Sequence, residues 1–343
     1  MAKPGSRAEK VLRLLRRSGD FVSSHDICSE LGISRAAVWK QIEGLRSDGY
    51  DIEGVSSMGY RLLRVPDALR VLEADRGFDP LRIGRRIVAL DETGSTNEDA
   101  WQLGLEGAEE GTVVLAEMQR AGRGRRGRRW VSPAGTNLYA SVLLRPAVLP
   151  AEAALLTLLA AVELCETLRE TLPVAPGIKW PNDVLLEGAK VAGILAEMHA
   201  EQETIHFLVL GIGVNLNMTR EMFPGELTYP ATSVRCVLGR PVERVPFTRR
   251  LLENLDRGYE RFLREGARPL RKRWLSFCVH LGGSLEVDTP KGILRGRFED
   301  IDDEGALVLE VAPGATERIR AGDVIRVSPP VPSAWPSPGG EKE

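Results

Sequence analysis

Six arginines fall between Arg120 and Arg129, punctuated by three glycines in Gly122-Arg123-Gly124-Arg125-Arg126-Gly127-Arg128-Arg129-Trp130, although the formal net charge of the whole chain is only -2. Guanidinium groups present planar forks of donors that match carboxylates and phosphates, and glycine lets the backbone turn left-handed and approach a ligand closely. The stretch reads as a loop that wraps an anion. A disordered RGG-like segment that binds nucleic acid nonspecifically would have a similar composition. The context argues against it, because strand-like runs lie on either side, at Val113–Ala116 and Leu138–Val142, and Trp130-Val131 closes the loop.

Three more stretches carry chemistry. In Lys179-Trp180-Pro181-Asn182-Asp183, Pro181 fixes its own φ and holds the residue before it extended, so Lys179, Asn182 and Asp183 sit on a stiff corner. Lys190 then opens an apolar run whose Gly193 permits close backbone approach. In Ser95-Thr96-Asn97, Ser95 is a natural N-cap for a helix containing Asp99, Ala100 and Trp101, and these side chains either cap that helix or bond a polar ligand. Gly211-Ile212-Gly213-Val214-Asn215-Leu216-Asn217 places two glycines in an otherwise buried-looking strand, which points to a ligand or another backbone lying against it. Neither a GxGxxG fingerprint nor a Walker A lysine motif is present, which disfavours both common nucleotide folds.

Stepping outward, residues 7–18 show apolar positions at helical spacing, a second helix from Ser24 to Leu31 opens on Ser24 as its N-cap, and Ser34 caps a third helix reaching Ser47. Two short helices joined by a Gly-containing turn form a helix-turn-helix, and extended pieces at Asp51–Val55 and Tyr60–Leu63 resemble the hairpin of a winged helix. The third helix starts with small and polar residues, Ser34, Arg35 and Ala36 with Lys40 and Gln41 following, where a recognition helix touches base edges. Residues 1–65 carry eleven Lys/Arg against eight Asp/Glu, a local net of +3 that favours phosphate contact; a unit that only mediates protein contacts is the competing reading.

Residues 66–80 read as a linker with a helical piece around 68–75. Apolar runs at Ile87–Leu90, Thr112–Ala116, Leu138–Leu144, Val184–Leu186, Val191–Ala196 and Phe207–Val214 then alternate with helices, most clearly Ala151–Leu172 and Pro246–Leu263. The expected fold class is α+β multidomain: a winged helix-turn-helix over 1–65, a mixed α/β domain over 81–277 and a small SH3-like β-barrel over 278–328. The barrel strands are expected at Gly283–Val287, Gly292–Phe298, Ala306–Glu310 and Asp323–Val327. Residues 329–343, rich in Pro, Ser and Gly, are expected to be disordered. The four cysteines form no CxxC or Cys/His spacing, which suits free thiols in a reducing compartment, and no run approaches the ~20 apolar residues of a membrane span. A cytoplasmic protein with no membrane contact is the expectation.

Taken in order, these stretches closely resemble the biotin-protein ligases, from about residue 7 to about residue 328, and the preceding helix-turn-helix is similar to the bacterial type that also represses transcription. The resemblance implies a central domain of the biotin/lipoate ligase type and two steps. Biotin and ATP give biotinyl-5'-adenylate and pyrophosphate, and a lysine of a biotin carboxyl carrier protein then displaces AMP. It also implies Mg²⁺ with the triphosphate, operator DNA of biotin genes as a partner and a homodimer. No dedicated protein cage for the metal is visible in the sequence. By resemblance, Lys190, Arg125 and Asp183 are the catalytic candidates, and Ser95, Thr96, Asn97 and Gln119 hold biotin. Arg123, Gly124, Arg125, Arg126 and Arg128 cover biotin and phosphate, Lys179, Asn182, Gly193 and Asn215 belong to the adenylate site, and Trp130 either stacks near adenine or packs in the core. A ligase without regulation and a ligand-sensing regulator without ligase activity are the alternatives.

Overall fold

The computed structural model describes residues 6–70, 72, 77–225, 227 and 229–328. The expected tail over 329–343 and half of the expected helical piece at 68–75 lie outside the described residues.

Three helices and a hairpin open the chain: α1 (Arg7–Ser18), α2 (Ser24–Leu31), α3 (Arg35–Ser47), β1 (Asp51–Val55) and β2 (Gly59–Arg64). Each helix starts on a serine cap, which satisfies one of the free N–H groups of a first turn. Ser6 accepts from Glu9 N–H, Ser34 from Ala37 N–H and Ser23 from Asp26 N–H. Ser23, not Ser24, is thus the cap of α2; Ser24 is already helical. Val11, Leu12, Leu15, Ile27, Val38, Ile42, Leu45 and Ile52 form the shared core of this unit. Full burial of each of the larger aliphatic side chains contributes roughly 1.5–3 kcal/mol. Val22 adds a bridge to Tyr60, and a Cβ at Gly59, whose φ is +106°, would meet the Val22 carbonyl oxygen at 2.0 Å.

The central unit is built on a seven-stranded sheet of β3 (Ile87–Leu90), β4 (Val113–Ala116), β5 (Leu138–Leu144), β6 (Pro176–Lys179), β7 (Asp183–Leu186), β8 (Ala189–Glu201) and β9 (Thr204–Val214). Its order is β3-β4-β5-β9-β8-β7-β6, with β3 and β4 parallel and every other neighbouring pair antiparallel. Side chains alternate between the faces. Val113, Leu115, Leu138, Ala140 and Val142 join the core that α5 (Ala154–Thr171) and α7 (Arg244–Glu265) share. Val114, Leu143, Phe207 and Val209 point the other way, against Ala100 of α4 (Thr96–Leu105). The short α6 (Val234–Leu238) and α8 (Ala267–Phe277), both absent from the sequence-based reading, complete the helices.

The last five strands, β10 (Ser284–Thr289), β11 (Gly292–Ile301), β12 (Leu307–Ala312), β13 (Ala315–Ile319) and β14 (Asp323–Ser328), form an antiparallel sheet in the order β13-β12-β11-β10-β14. It closes over Leu285, Val287, Phe298, Ile301, Leu307, Leu309 and Ile319. The segment between the winged helix and β3 is bonded to the central unit at both ends. Asp67 accepts from the backbone N–H groups of Arg244 and Val245, and Asp256 accepts from those of Leu81, Arg82 and Ile83.

Candidate active site

On the face of the sheet that carries α4, β8 and β9 present Gly193, Gly211 and Gly213, with Gly193 opposite Gly213 and Leu195 opposite Gly211. Asn215 follows two residues after Gly213, so Gly211 to Asn215 spans about 13 Å at ~3.3 Å per residue. These residues floor a cavity of about 560 Å³, within the usual range for small-molecule sites. The sequence-based reading expected a ligand or a backbone against the glycines. The structure puts Asn97 and Trp130 against two of them, and all three line the cavity. A Cβ at Gly211 would lie 2.1 Å from Asn97 Oδ1, and one at Gly213 would lie 2.6 Å from Trp130 Nε1.

One end of the cavity is uncharged and polar. Gln119 Oε1 accepts from Thr96 N–H at 2.9 Å and from its hydroxyl at 3.2 Å, while Gln119 Nε2 donates to Ser132 Oγ at 2.9 Å. Ser141 Oγ bonds Thr96 Oγ1 at 2.8 Å and Asn97 Oδ1 at 2.6 Å, and Asn97 Nδ2 donates to Glu197 Oε2 at 2.7 Å. The Thr96 and Asn97 side chains are thereby locked in one orientation. Ser95 is buried and occupies the N-cap position of α4, but its side chain makes no capping bond, contrary to the simple capping reading. Its hydroxyl is left to the cavity that it lines.

The middle and far end are cationic. Lys190 Nζ lies 2.6 Å from Asp183 Oδ1 and 5.5 Å from the centre of the Trp130 ring. Trp130 is half-buried over Gly193 and Gly213 and lines the cavity, and its Nε1 has no hydrogen-bond partner among the described residues. Asn182 Nδ2 donates to the Ile194 carbonyl oxygen at 2.8 Å. Lys179 is buried with its Nζ 3.9 Å from the Tyr229 ring centre, and that burial pushes its pKa below the ordinary lysine value. Burial, then the charge of Asp183, pushes the Tyr229 phenol up. Asn215 donates to the Thr232 carbonyl oxygen at 3.1 Å and accepts from Asn137 Nδ2 at 3.3 Å.

The arginine loop closes the cavity from above, with Arg123, Gly124, Arg125 and Arg128 on its lining. Its arginines already have anionic partners. Arg125 Nη1 reaches Asp323 Oδ1 at 3.1 Å, Asn182 Oδ1 at 3.3 Å and the Gly322 carbonyl oxygen at 3.3 Å, and Arg128 Nη2 reaches Asp323 Oδ2 at 2.8 Å. Arg126, at a left-handed φ of +55°, is outside the lining; it pairs with Asp288 at 2.5 Å and lies 3.7 Å from Asp323 Oδ2. It does not join the other covering arginines on the lining, because its left-handed backbone aims the side chain at the barrel. Burial pushes Arg125 below the usual arginine value, with Asp323 pulling the other way.

The structure brings every other expected biotin, adenylate and catalytic residue to this one cavity. It adds residues that sequence reasoning passed over. Asp323 comes from the barrel, nearly 200 residues away in sequence, with no local pattern to single it out. Tyr229 sits in a stretch without periodicity; Ser141, hidden inside an apolar strand and outside the lining, supports the site from behind by bonding Thr96 and Asn97. Arg326, on the same strand as Asp323, faces Glu286 at 3.8 Å and is outside the lining. The five nucleic-acid candidates lie apart from the cavity on α3, where Arg35, Ala36 and Lys40 are exposed beside an exposed Trp39. No helix of the described residues is long and apolar enough to cross a membrane, and the four cysteines are free.

Comparison with known proteins matches residues 90–215 to the biotin/lipoate A/B protein ligase family, 7–61 to an HTH domain and 280–327 to the biotin protein ligase C-terminal domain. The bifunctional ligase/repressor BirA of Bacillus subtilis is 36% identical over 315 residues, covering 92% of this chain and 97% of that one. The biotin--[acetyl-CoA-carboxylase] ligase of Paracoccus denitrificans is 39% identical over 242 residues, covering 68% and 98% respectively. Among solved structures, a biotin protein ligase from Aquifex aeolicus in complex with biotin and ATP superposes with a TM-score of 0.61 at 26% identity, over 71% of this chain and 99% of that one. With all three units matched in order and a 36% identical relative covered almost end to end, the chain belongs to the biotin protein ligase family, in its form with an N-terminal helix-turn-helix.

Proposed function

We propose that the protein joins biotin to ATP as biotinyl-5'-adenylate and passes the biotinyl group to a lysine of a biotin carboxyl carrier protein of acetyl-CoA carboxylase, and that its winged helix represses biotin genes. The observation that carries the enzymatic reading is the shape of the cavity. A locked neutral polar end at Thr96, Asn97 and Gln119 runs along a glycine floor to Lys190, Lys179 and Arg125. A neutral ring system with a carboxylate joined to a phosphate has the same order of groups.

In the first step a biotin carboxylate oxygen forms a bond to the α-phosphorus, and the bond from that phosphorus to the bridging oxygen breaks to release pyrophosphate. Both reactants are anions, so cations that gather them and spread the developing charge lower the barrier. Lys190 stands where carboxylate and phosphate meet, and Arg125 and Arg128 cover the phosphates. In the second step the carrier's neutral amine attacks the acyl carbon, AMP leaves, and Asp183 orients the amine and takes its proton. Water is kept off the mixed anhydride by the arginine loop and Trp130. Mg²⁺ accompanies the triphosphate. Among the described residues no group of three or more His, Cys, Asp or Glu is placed to hold a metal; the phosphates would supply most of its ligands, with Asp183 and Asp323 the carboxylates that line the cavity, and the ion would neutralise phosphate charge.

At the other end of the chain, Ser34, Arg35, Ala36, Lys40 and Gln41 form the face of α3 that reads operator DNA of biotin genes. The protein binds that DNA as a homodimer, in keeping with two-fold operators. Residues 1–65, 81–277 and 278–328 act as DNA-binding, catalytic and closing units of a cytoplasmic enzyme.

Incubation with biotin, MgATP and a biotin carboxyl carrier domain is expected to give pyrophosphate and a streptavidin-reactive carrier; neither product appearing would refute the ligase reading. Footprinting upstream of biotin genes at moderate salt, with and without biotinyl-adenylate, tests the repressor. Absence of protection under both conditions would remove it.

A further inference from the structure

Arg244, in the first turn of α7, is 3% exposed and is not part of the cavity lining. Its backbone N–H donates to Asp67 Oδ1 at 2.7 Å, Nε to Asp67 Oδ2 at 3.3 Å and Nη2 to the Asp67 carbonyl oxygen. Nη1 donates to Glu117 Oε2 at 2.7 Å and to the Asn137 carbonyl oxygen at 3.4 Å. The other Glu117 oxygen accepts from Leu69 N–H at 2.7 Å. Arg244 and Glu117 together therefore grip the chain where it leaves the winged helix.

The same bonds lead inward. Asn137 is fully buried; its Oδ1 accepts from Leu216 N–H at 3.0 Å, and its Nδ2 donates to Asn215 Oδ1 in the cavity at 3.3 Å. Glu117 lies two residues before Gln119, which belongs to the polar end of the same cavity. The Arg244 side chain is 4% exposed and its one planar fork serves Asp67, Glu117 and the Asn137 carbonyl oxygen together, so a shift of one acceptor alters the geometry offered to the others. Hydrogen bonds thus run without a break from residue 67 through Arg244 and Asn137 to the amide of Asn215.

We propose that Arg244 is a positioning residue that ties the placement of the connection from the winged helix to the geometry of Asn215 at the nucleotide end of the cavity. This rests on the reading of that cavity as an adenylate site. Asp67 and Arg244 set the frame, Asn137 relays it, and Asn215 meets the ligand.

The test uses the full chain with Asp67→Asn, Arg244→Lys and Arg244→Ala. Steady-state pyrophosphate release gives kcat and both KM values, and amide hydrogen exchange of residues 66–70 is followed with and without biotin plus MgATP. In the unaltered protein, ligands are expected to slow exchange over 66–70. In Asp67→Asn the KM for ATP is expected to rise three- to tenfold while kcat and the KM for biotin stay within twofold, and exchange over 66–70 no longer responds to ligand. Arg244→Lys keeps the charge but loses the planar fork, and it is expected to behave like Asp67→Asn. Should Arg244→Ala fail to fold, Asp67→Asn decides. An unchanged KM for ATP, an exchange rate blind to ligand in the unaltered protein, or a uniform fall in all constants that follows the melting temperature would each overturn the proposal. Failure of the ligase reading is separately visible, as no pyrophosphate release by the unaltered protein.

Discussion

Lys190 and Asp183 show how little of a site's chemistry lies in one residue. At 2.6 Å the two charges neutralise each other, and in the proposed reaction a carboxylate and a phosphate compete with Asp183 for the ammonium. Lys190→Ala is therefore expected to lower kcat for adenylate formation by about 10²- to 10³-fold, the usual loss when a charge-stabilising group is removed from a transition state. The accompanying change in melting temperature should be only a few degrees. Pyrophosphate release and thermal melts on one preparation check this, and a collapse of stability that accounts for the lost rate would contradict it. The residue types of this site were legible in the sequence because chemistry restricts them: few roles besides anion binding call for arginines and glycines in that density. Their partners were not, because an ion pair such as Arg128 with Asp323 is created by folding. The same holds for Arg126, whose side chain a single left-handed residue sends out of the cavity.

At the scale of elements, the hairpin of β8 and β9 is a floor kept bare so that Asn97 and Trp130 can approach it closely. A methyl group at residue 213 would stand 2.6 Å from Trp130 Nε1, closer than packed atoms approach, and the half-buried indole is freer to move than the central strand beneath it. Gly213→Ala is thus expected to fold but to displace the indole and raise KM for ATP and biotin at least tenfold. Near-ultraviolet circular dichroism and kinetics read this together, and an unchanged indole signal with unchanged KM would show that the contact is not needed. Glycine inside a strand did announce that something lies close, though not that the neighbour is the protein itself. Elements with a clear apolar rhythm were legible in outline, whereas β13 was not. Of Ala315–Ile319 only Ile319 is buried, so an edge strand of this kind offers no alternation to read. The α8 helix buries Leu270 and Trp274 among basic residues, a face too narrow to stand out.

At the scale of the molecule, the barrel is joined to the central unit by contacts that run beside the site. Arg125 and Arg128 meet Asp323, Trp180 Nε1 donates to the Gly305 carbonyl oxygen at 3.2 Å, and Val279 N–H bonds the Ile178 carbonyl oxygen at 3.1 Å. Asp323→Asn is expected to loosen the arginine loop, seen as faster hydrogen exchange over 123–129, with MgATP restoring much of the protection because phosphate replaces the lost carboxylate. Exchange identical to that of the unaltered protein would mean that the loop holds itself. His280 follows directly on this junction and is 5% exposed. Burial, then the charge of Lys179, lowers its pKa from 6.5 to about 4. Since the folded value lies below the unfolded one, folding favours the neutral ring. Its contribution is complete above pH 6.5 and drains as the pH falls toward 4, with about 2 kcal/mol gone by pH 5. Protonation adds a second buried cation near Lys179, so the junction between sheet and barrel is where acid should act first. Denaturant unfolding at pH 8, 6 and 5 should show His280→Asn losing about 2 kcal/mol less than the unaltered protein across that range, whatever its stability at pH 8. If the two curves fall in parallel, the acid sensitivity lies elsewhere and His280 is merely buried.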